Sequence, residues 1–242
     1  MALKWQTFLR SFIVNEGYKK VFEGFGNTAY IAIFGFLIGI AIGSLIAMVK
    51  VASKRNGFVN FLSKIGDVYV FLFRGTPIVV QLLLIYYVIF PLMHVNIDKL
   101  VVAIVTFGLN SGAYVSEIVR SGIMSVDKGQ LEAGRALGLS YPSAMLHIVL
   151  PQAFKNSLPA LGNELIALVK DTSVAGFISV CDLTQAFKAL ASSSYEYMVP
   201  YIVLALVYLV IVGLITLVIK LVERRLRKSE KRESKSQKRA AK

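Results

Sequence analysis

Thr28-Ala-Tyr-Ile-Ala-Ile-Phe-Gly35-Phe-Leu-Ile-Gly39-Ile-Ala-Ile-Gly43-Ser-Leu-Ile-Ala-Met-Val49 runs for 22 residues without a charge. A helix needs about 20 residues to cross a hydrocarbon core of roughly 30 Å, so this stretch reads as a span. A lone hydrophobic run of this length can satisfy its backbone hydrogen bonds in lipid only as a helix, which points to an all-α membrane protein. Gly35, Gly39 and Gly43 recur every four residues, a small-residue stripe that lets two helices approach closely. Residues 197–219 make a second uncharged run of the same kind. The 242-residue chain is 56% hydrophobic with a mean hydropathy of +0.65, above what a soluble domain carries.

Lys50, Lys54 and Arg55 follow the first span at once and put that loop on the cytoplasmic side, with the N-terminus outside. Residues 58–73 set Asn60, Ser63, Lys64 and Asp67 at i, i+3, i+4 and i+7. That polar stripe on an apolar helix predicts a segment at the interface or packed on neighbours. Arg74-Gly75-Thr76-Pro77 breaks the chain before a second span over 78–93, with Arg74 snorkelling to the interface. A third span covers 100–124. A fourth, 150–181, is apolar but holds Lys155, Glu164, Lys170 and Asp171, charges that are costly against lipid and should face protein or water. Residues 182–196 form an external loop, and the fifth span, within 197–219, returns the chain inside. The expected organisation is an N-terminal segment 1–26, external or interfacial, a membrane-spanning body 27–222 of about five transmembrane helices, and a basic cytoplasmic tail 223–242. Lys4, Arg10, Lys19 and Lys20 lie outside in this orientation and oppose it without reversing it. No small-residue cleavage site follows Lys4 and Arg10, so no cleaved leader is expected.

The formal net charge of +13 is concentrated at one end, where residues 220–242 hold eleven Lys or Arg against Glu223, Glu230 and Glu233. Directly after a span, such a run is a cytoplasmic anchor touching anionic membrane lipid. No aromatic-interleaved basic groove accompanies it, which argues against nucleic acid as a partner. Cys181 is the single cysteine, and His94 and His147 have no acidic or cysteine cluster around them, so neither a disulfide nor a metal site is expected. No Ser-His-Asp spacing points to an enzyme. No G-x-x-x-x-G-K-[ST] loop is present, so the chain binds no ATP and no other cofactor of its own, and any such energy must come from a partner.

Residues 126–147 are too polar to cross the membrane and too long for a turn. Asp127 can cap a short helix that runs to Leu137, Gly138 suits a left-handed terminus, and Ser140 with Pro142 can start a second helix. The result is a cytoplasmic helix-turn-helix with Leu137, Leu139 and Tyr141 clustered at its turn, exposed unless another protein covers them. Glu132-Ala133-Gly134, then Gly138, then Ile148, Leu150 and Pro151 resemble the EAA loop of ABC importer permeases. Every fixed position matches except the third, where Gly134 stands in place of alanine, lowering helix propensity by about 1 kcal/mol while keeping the small volume. Phe73-Arg74-Gly75-Thr76-Pro77, Leu158-Pro159-Ala160-Leu161-Gly162-Asn163-Glu164 and Lys170-Asp171-Thr172-Ser173 are similar to the polar-amino-acid subfamily, and the likeness covers roughly residues 27–222.

That resemblance implies the type I ABC importer transmembrane fold, with the loop as a coupling helix in a groove of a separate ATP-binding subunit, where Glu132, Ala133, Gly134, Leu137, Gly138 and Leu139 would engage it. It implies a bacterial cytoplasmic (inner) membrane location and a second permease copy, a homodimer first and a heterodimer as the alternative. It also implies an extracellular or periplasmic amino-acid-binding protein. Glu164 and Asp171, seven residues apart, share one helix face and could together hold the cation of a polar, basic amino acid. Asn163 and Glu117 complete the candidate substrate-binding set, and Lys170 would serve the substrate carboxylate or pair with Glu117. The alternative for these charges, Arg120 included, is pairing between subunits to hold the dimer. A gradient-driven secondary transporter would leave the 126–147 loop unexplained and predicts inverted repeats that the sequence lacks.

Overall fold

The computed structural model describes the backbone of residues 2–52 and 57–240, and the side chains of 3–52 and 57–226. Lys54, Arg55 and the side chains of the tail beyond Leu226 lie outside the described residues. No strand occurs among them. Helix α1, Ala2–Leu9, passes through a π turn, Arg10–Val14, into α2, Gly17–Ala52, a single helix that extends the first span at both ends. Its main partner is α6, Lys99–Met124. At that contact a Cβ placed on Gly39 would lie 2.9 Å from Ser111 Cβ, and one on Gly43 would lie 2.7 Å from Val115 Cβ. Gly108 and Gly112 of α6 receive Ile38 and Ile42 in return, so both backbones close to a distance that only small residues allow.

Helix α3, Gly57–Gly75, packs Gly66 on Ile46 of α2, and its Tyr69 hydroxyl donates to the Leu109 carbonyl of α6. After Pro77 come α4, Ile78–Leu84, a π turn, Ile85–Ile89, and the three residues of α5, Phe90–Leu92. The two arms meet at 107°. The second span is thus one arm of a bent pair, because a proline with no N–H to donate stands where the helix would otherwise continue. Among the described residues, α2, α6 and the Met198–Leu226 part of α11, Met198–Ala240, are long and apolar enough to cross a membrane, and the bent pair makes a fourth. The fifth is α9, Leu150–Asp171, whose charges lower its apolarity while its 22 residues suffice in length. Ile31, Leu82, Val102, Phe107 and Leu168 form the buried centre where α2, α4, α6 and α9 meet.

Two expectations change. Residues 150–181 are not one helix: α9 stops at Asp171, and a 3-10 segment, Thr172–Ile178, leads to left-handed Ser179. Residues 182–196 are mostly not a loop. Asp182 accepts from the N–H groups of Thr184 at 2.8 Å and Gln185 at 3.2 Å and starts α10, Leu183–Ser194. This helix buries Leu183, Ala186, Phe187, Leu190 and Ala191, a helical stripe at i, i+3, i+4, i+7 and i+8, partly against Phe8 of α1 and Val199 and Leu204 of α11. Burial pushes the Asp182 carboxyl above its ordinary value, and the bonds from Thr184 and Gln185 oppose that shift. Lys4 reaches Glu196 at 3.5 Å and ties the N-terminal helix to the same end of the protein.

Candidate solute site and coupling loop

The segment between α6 and α9 folds as a small hairpin. Asp127 accepts from Gly129 N–H at 2.7 Å and caps α7, Lys128–Ala136. Gly138 takes φ of +86°, a left-handed conformation that costs glycine nothing. Ser140 accepts from Ser143 N–H and caps α8, Tyr141–Ala144, which continues through a π turn, Met145–Val149, into α9. Gly134 is buried, and a methyl group there would sit 2.6 Å from Ile148 Cδ1, so the glycine in place of alanine lets α7 close onto the π turn. The two ends of the Glu132 to Pro151 pattern therefore touch. Glu132, Ala133, Gly138 and Leu139 face outward with Leu137, which is 84% exposed. Five of the six residues expected to meet a partner are available to one, and Gly134 instead faces inward.

Glu164 is half-buried on α9 and accepts from the Ser111 hydroxyl of α6 at 2.8 Å. Asn163 beside it and Asp171 two turns on are exposed. Because α9 is continuous, Glu164 and Asp171 share a face but stand about 10 Å apart along the axis, so different parts of a solute would reach them. Glu117 belongs to another cluster. It accepts from Lys50 Nζ of α2 at 2.8 Å and, through its other oxygen, from Arg120 Nη2 at 2.8 Å and Nε at 3.0 Å. Lys50 also meets Asp67 of α3 at 2.8 Å and is only 9% exposed. The expected pairing of Glu117 with Lys170 is not formed, since both Glu117 oxygens are occupied by these two cations and Lys170 is exposed.

Arg74, expected to snorkel, instead ends α3 with its guanidinium 5.1 Å above the ring of Tyr114, one turn from Ser111 on α6. Gln81 fixes the break beneath it, donating to Phe73 and Thr76 carbonyls and accepting from Asn110 at 2.9 Å. No group of His, Cys, Asp and Glu suited to a metal occurs among the described residues.

Residues 35–228 match the sequence profile of the family described as the binding-protein-dependent transport system inner membrane component. The chain belongs to this family. The permease is 39% identical over 188 residues to the arginine transport system permease protein ArtQ of Bacillus subtilis, covering 78% of this chain and 84% of that one. It is 38% identical over 188 residues to a putative glutamine transport system permease protein GlnP of Rickettsia bellii, with the same coverage. A crystal structure of an amino acid ABC transporter with histidines superimposes with a TM-score of 0.79 at 35% identity, over 88% of this chain and 96% of that one. The permease is therefore a multi-pass membrane component of an amino acid ABC transporter with the type I importer fold, a transport subunit rather than an enzyme. ATP hydrolysis resides in a separate subunit. An ATP-binding subunit and a substrate-binding protein are its partners as a class.

Sequence reasoning missed Ser111 and Lys50 as partners of the two glutamates. Ser111 offers no signal in a single sequence. In sequence Lys50 signals only topology, although it lies near the end of a span, where a long side chain can reach across to neighbouring helices.

Proposed function

We propose that this permease translocates a basic amino acid inward across the bacterial cytoplasmic membrane, driven by ATP hydrolysis in a partner and paired with a second copy of itself. The N-terminus is outside and the C-terminus inside, and the chain binds no cofactor of its own. The observation that carries the solute class is Glu164, a carboxylate within a membrane-spanning helix whose hydrogen-bond partner is the neutral Ser111. A charge held there without a directly bonded counter-ion is costly, and a solute cation bonded to it by charge-assisted hydrogen bonds removes that cost. Asp171, farther along the same face, gives a long basic side chain a second anion. The likeness to the arginine system ArtQ supports this reading, while the likeness to GlnP would favour a neutral amide side chain.

Coupling runs through the α7–α8 hairpin, whose exposed Leu137 and Leu139 offer an apolar patch for the ATPase to cover. The test is uptake of labelled arginine, lysine, histidine and glutamine into proteoliposomes holding the permease and its ATPase, with the external binding protein supplied. Uptake of a basic amino acid only with enclosed ATP, and a lowered apparent affinity for it in Glu164→Gln, is the expected result. Uptake indifferent to ATP but driven by an ion gradient overturns the coupling. Unchanged affinity in Glu164→Gln overturns the binding role.

A further inference from the structure

Three successive turns of α6 each meet a charged side chain from another helix or from α6 itself. Glu117 is bonded to Lys50 and Arg120, Tyr114 lies under Arg74, and Ser111 donates to Glu164. With Asp67, which also meets Lys50, the first set balances two cations against two carboxylates, whereas Arg74 and Glu164 are joined to no ion pair among the described residues. Arg74 stands at the bend of the α3–α4 pair, two turns and about 10 Å beyond Asp67, which marks the level of the Lys50 cluster. Among the described residues no carboxylate lies within 4 Å of its guanidinium, and no lysine or arginine lies within 4 Å of Glu164. Tyr114 supports one face of the guanidinium and leaves its edge donors directed elsewhere. A cation and an anion that lie within electrostatic reach of each other without forming an ion pair, held one helical turn apart along α6, match a zwitterion.

We propose that Arg74 binds the α-carboxylate of the transported amino acid while Glu164 takes its cationic group, with Tyr114 positioning the guanidinium. This rests on the reading of Glu164 as a solute ligand and adds the residue that makes the site select amino acids over amines. The planar fork of arginine suits a carboxylate through two parallel bonds. It also gives the Arg74-Gly75-Thr76-Pro77 break a purpose: α3 ends just after Arg74, whose guanidinium stands over the Tyr114 ring of α6.

The test uses the purified permease–ATPase complex in detergent without the external binding protein, which would impose its own selectivity. L-arginine, L-histidine and L-glutamine, each paired with its α-carboxamide, are titrated against thermal stability. In wild type the acid that binds is expected to do so roughly 10- to 100-fold more tightly than its amide, the worth of one charge-assisted bond. Arg74→Gln abolishes that difference and Arg74→Lys restores part of it, whereas Glu164→Gln weakens acid and amide alike. Equal binding of acid and amide by wild type overturns the inference even if no Arg74 variant folds. So does an Arg74→Gln complex that keeps wild-type discrimination, and one that also separates into single permeases would assign Arg74 to the contact between copies. If the Glu164 reading alone were wrong, Glu164→Gln would bind normally while Arg74→Gln still lost discrimination. Binding of none of the six ligands by wild type overturns both.

Discussion

Alanine at Gly35, Gly39 and Gly43 in turn should change the sign of its effect along one helix face. At Gly35 an added methyl meets Phe107 Cβ at 3.4 Å and backbone atoms of α6 at 3.5 and 3.6 Å, which is ordinary contact. There Gly→Ala restricts the unfolded chain and favours the helix, a gain of roughly 0.4–1 kcal/mol. At Gly43 the methyl falls 2.7 Å from Val115 Cβ and 2.8 Å from the Gly112 oxygen and Ser116 nitrogen, about 0.7 Å too close. Backbone atoms cannot turn aside, so α2 and α6 must separate, at a cost of about 1–3 kcal/mol that outweighs the gain. Gly39, at 2.8 Å from Ser111 Oγ and 2.9 Å from its Cβ, falls between. At about 2–4 °C per kcal/mol, scanning fluorimetry of the purified complex should rank Gly35→Ala above wild type, Gly39→Ala below it and Gly43→Ala lowest. Gly39→Ala should in addition weaken amino-acid binding, because the methyl displaces the serine that holds Glu164. Equal midpoints for the three variants would refute close helix approach as the reason for the stripe.

Glu117→Gln should leave the apparent KM for the amino acid unchanged while lowering stability by about 1–3 kcal/mol, since Lys50 is almost buried and loses one of its two carboxylates; a raised KM with unchanged melting would return Glu117 to the solute site. Gly138→Lys should cost about 1–2 kcal/mol of backbone strain without a clash, because φ is +86° and nothing lies within 4 Å of the position. ATPase activity and uptake measured in the same proteoliposomes should then separate, hydrolysis continuing while transport falls, and a normal ratio of the two would sink the coupling role. Leu137→Asp should reduce co-purification of the ATPase about tenfold or more, given that covering one leucine is worth roughly 1.5–3 kcal/mol; undiminished co-purification would place the docking patch elsewhere.

The α7–α8 hairpin is legible in sequence almost residue by residue because capping is local chemistry. Asp127, Gly138 and Ser140 each act on backbone groups within three residues, so neighbours in sequence are sufficient evidence. The α10 helix is equally local, yet its buried stripe lies among polar residues that read as a loop. The sequence extends the fourth span too far because apolar residues continue past Asp171, and hydrophobicity alone does not distinguish α9 from the 3-10 segment that follows.

By itself the sequence determined that this protein crosses a membrane, where its two long uncharged spans lie, and where it presents a capped helical hairpin, since each of these follows from hydrophobic length or short-range hydrogen bonding. Tertiary structure decided how the charges within the membrane are distributed. Glu117 and Glu164 are both glutamates on membrane-spanning helices, and nothing in their immediate sequence separates them. The approach of α2 to α6 brings Lys50 to one, and the approach of α9 to α6 leaves the other with a serine. A counter-ion arrives from wherever the chain folds back, 67 residues away for Glu117, and that distance in sequence is what local reasoning cannot span.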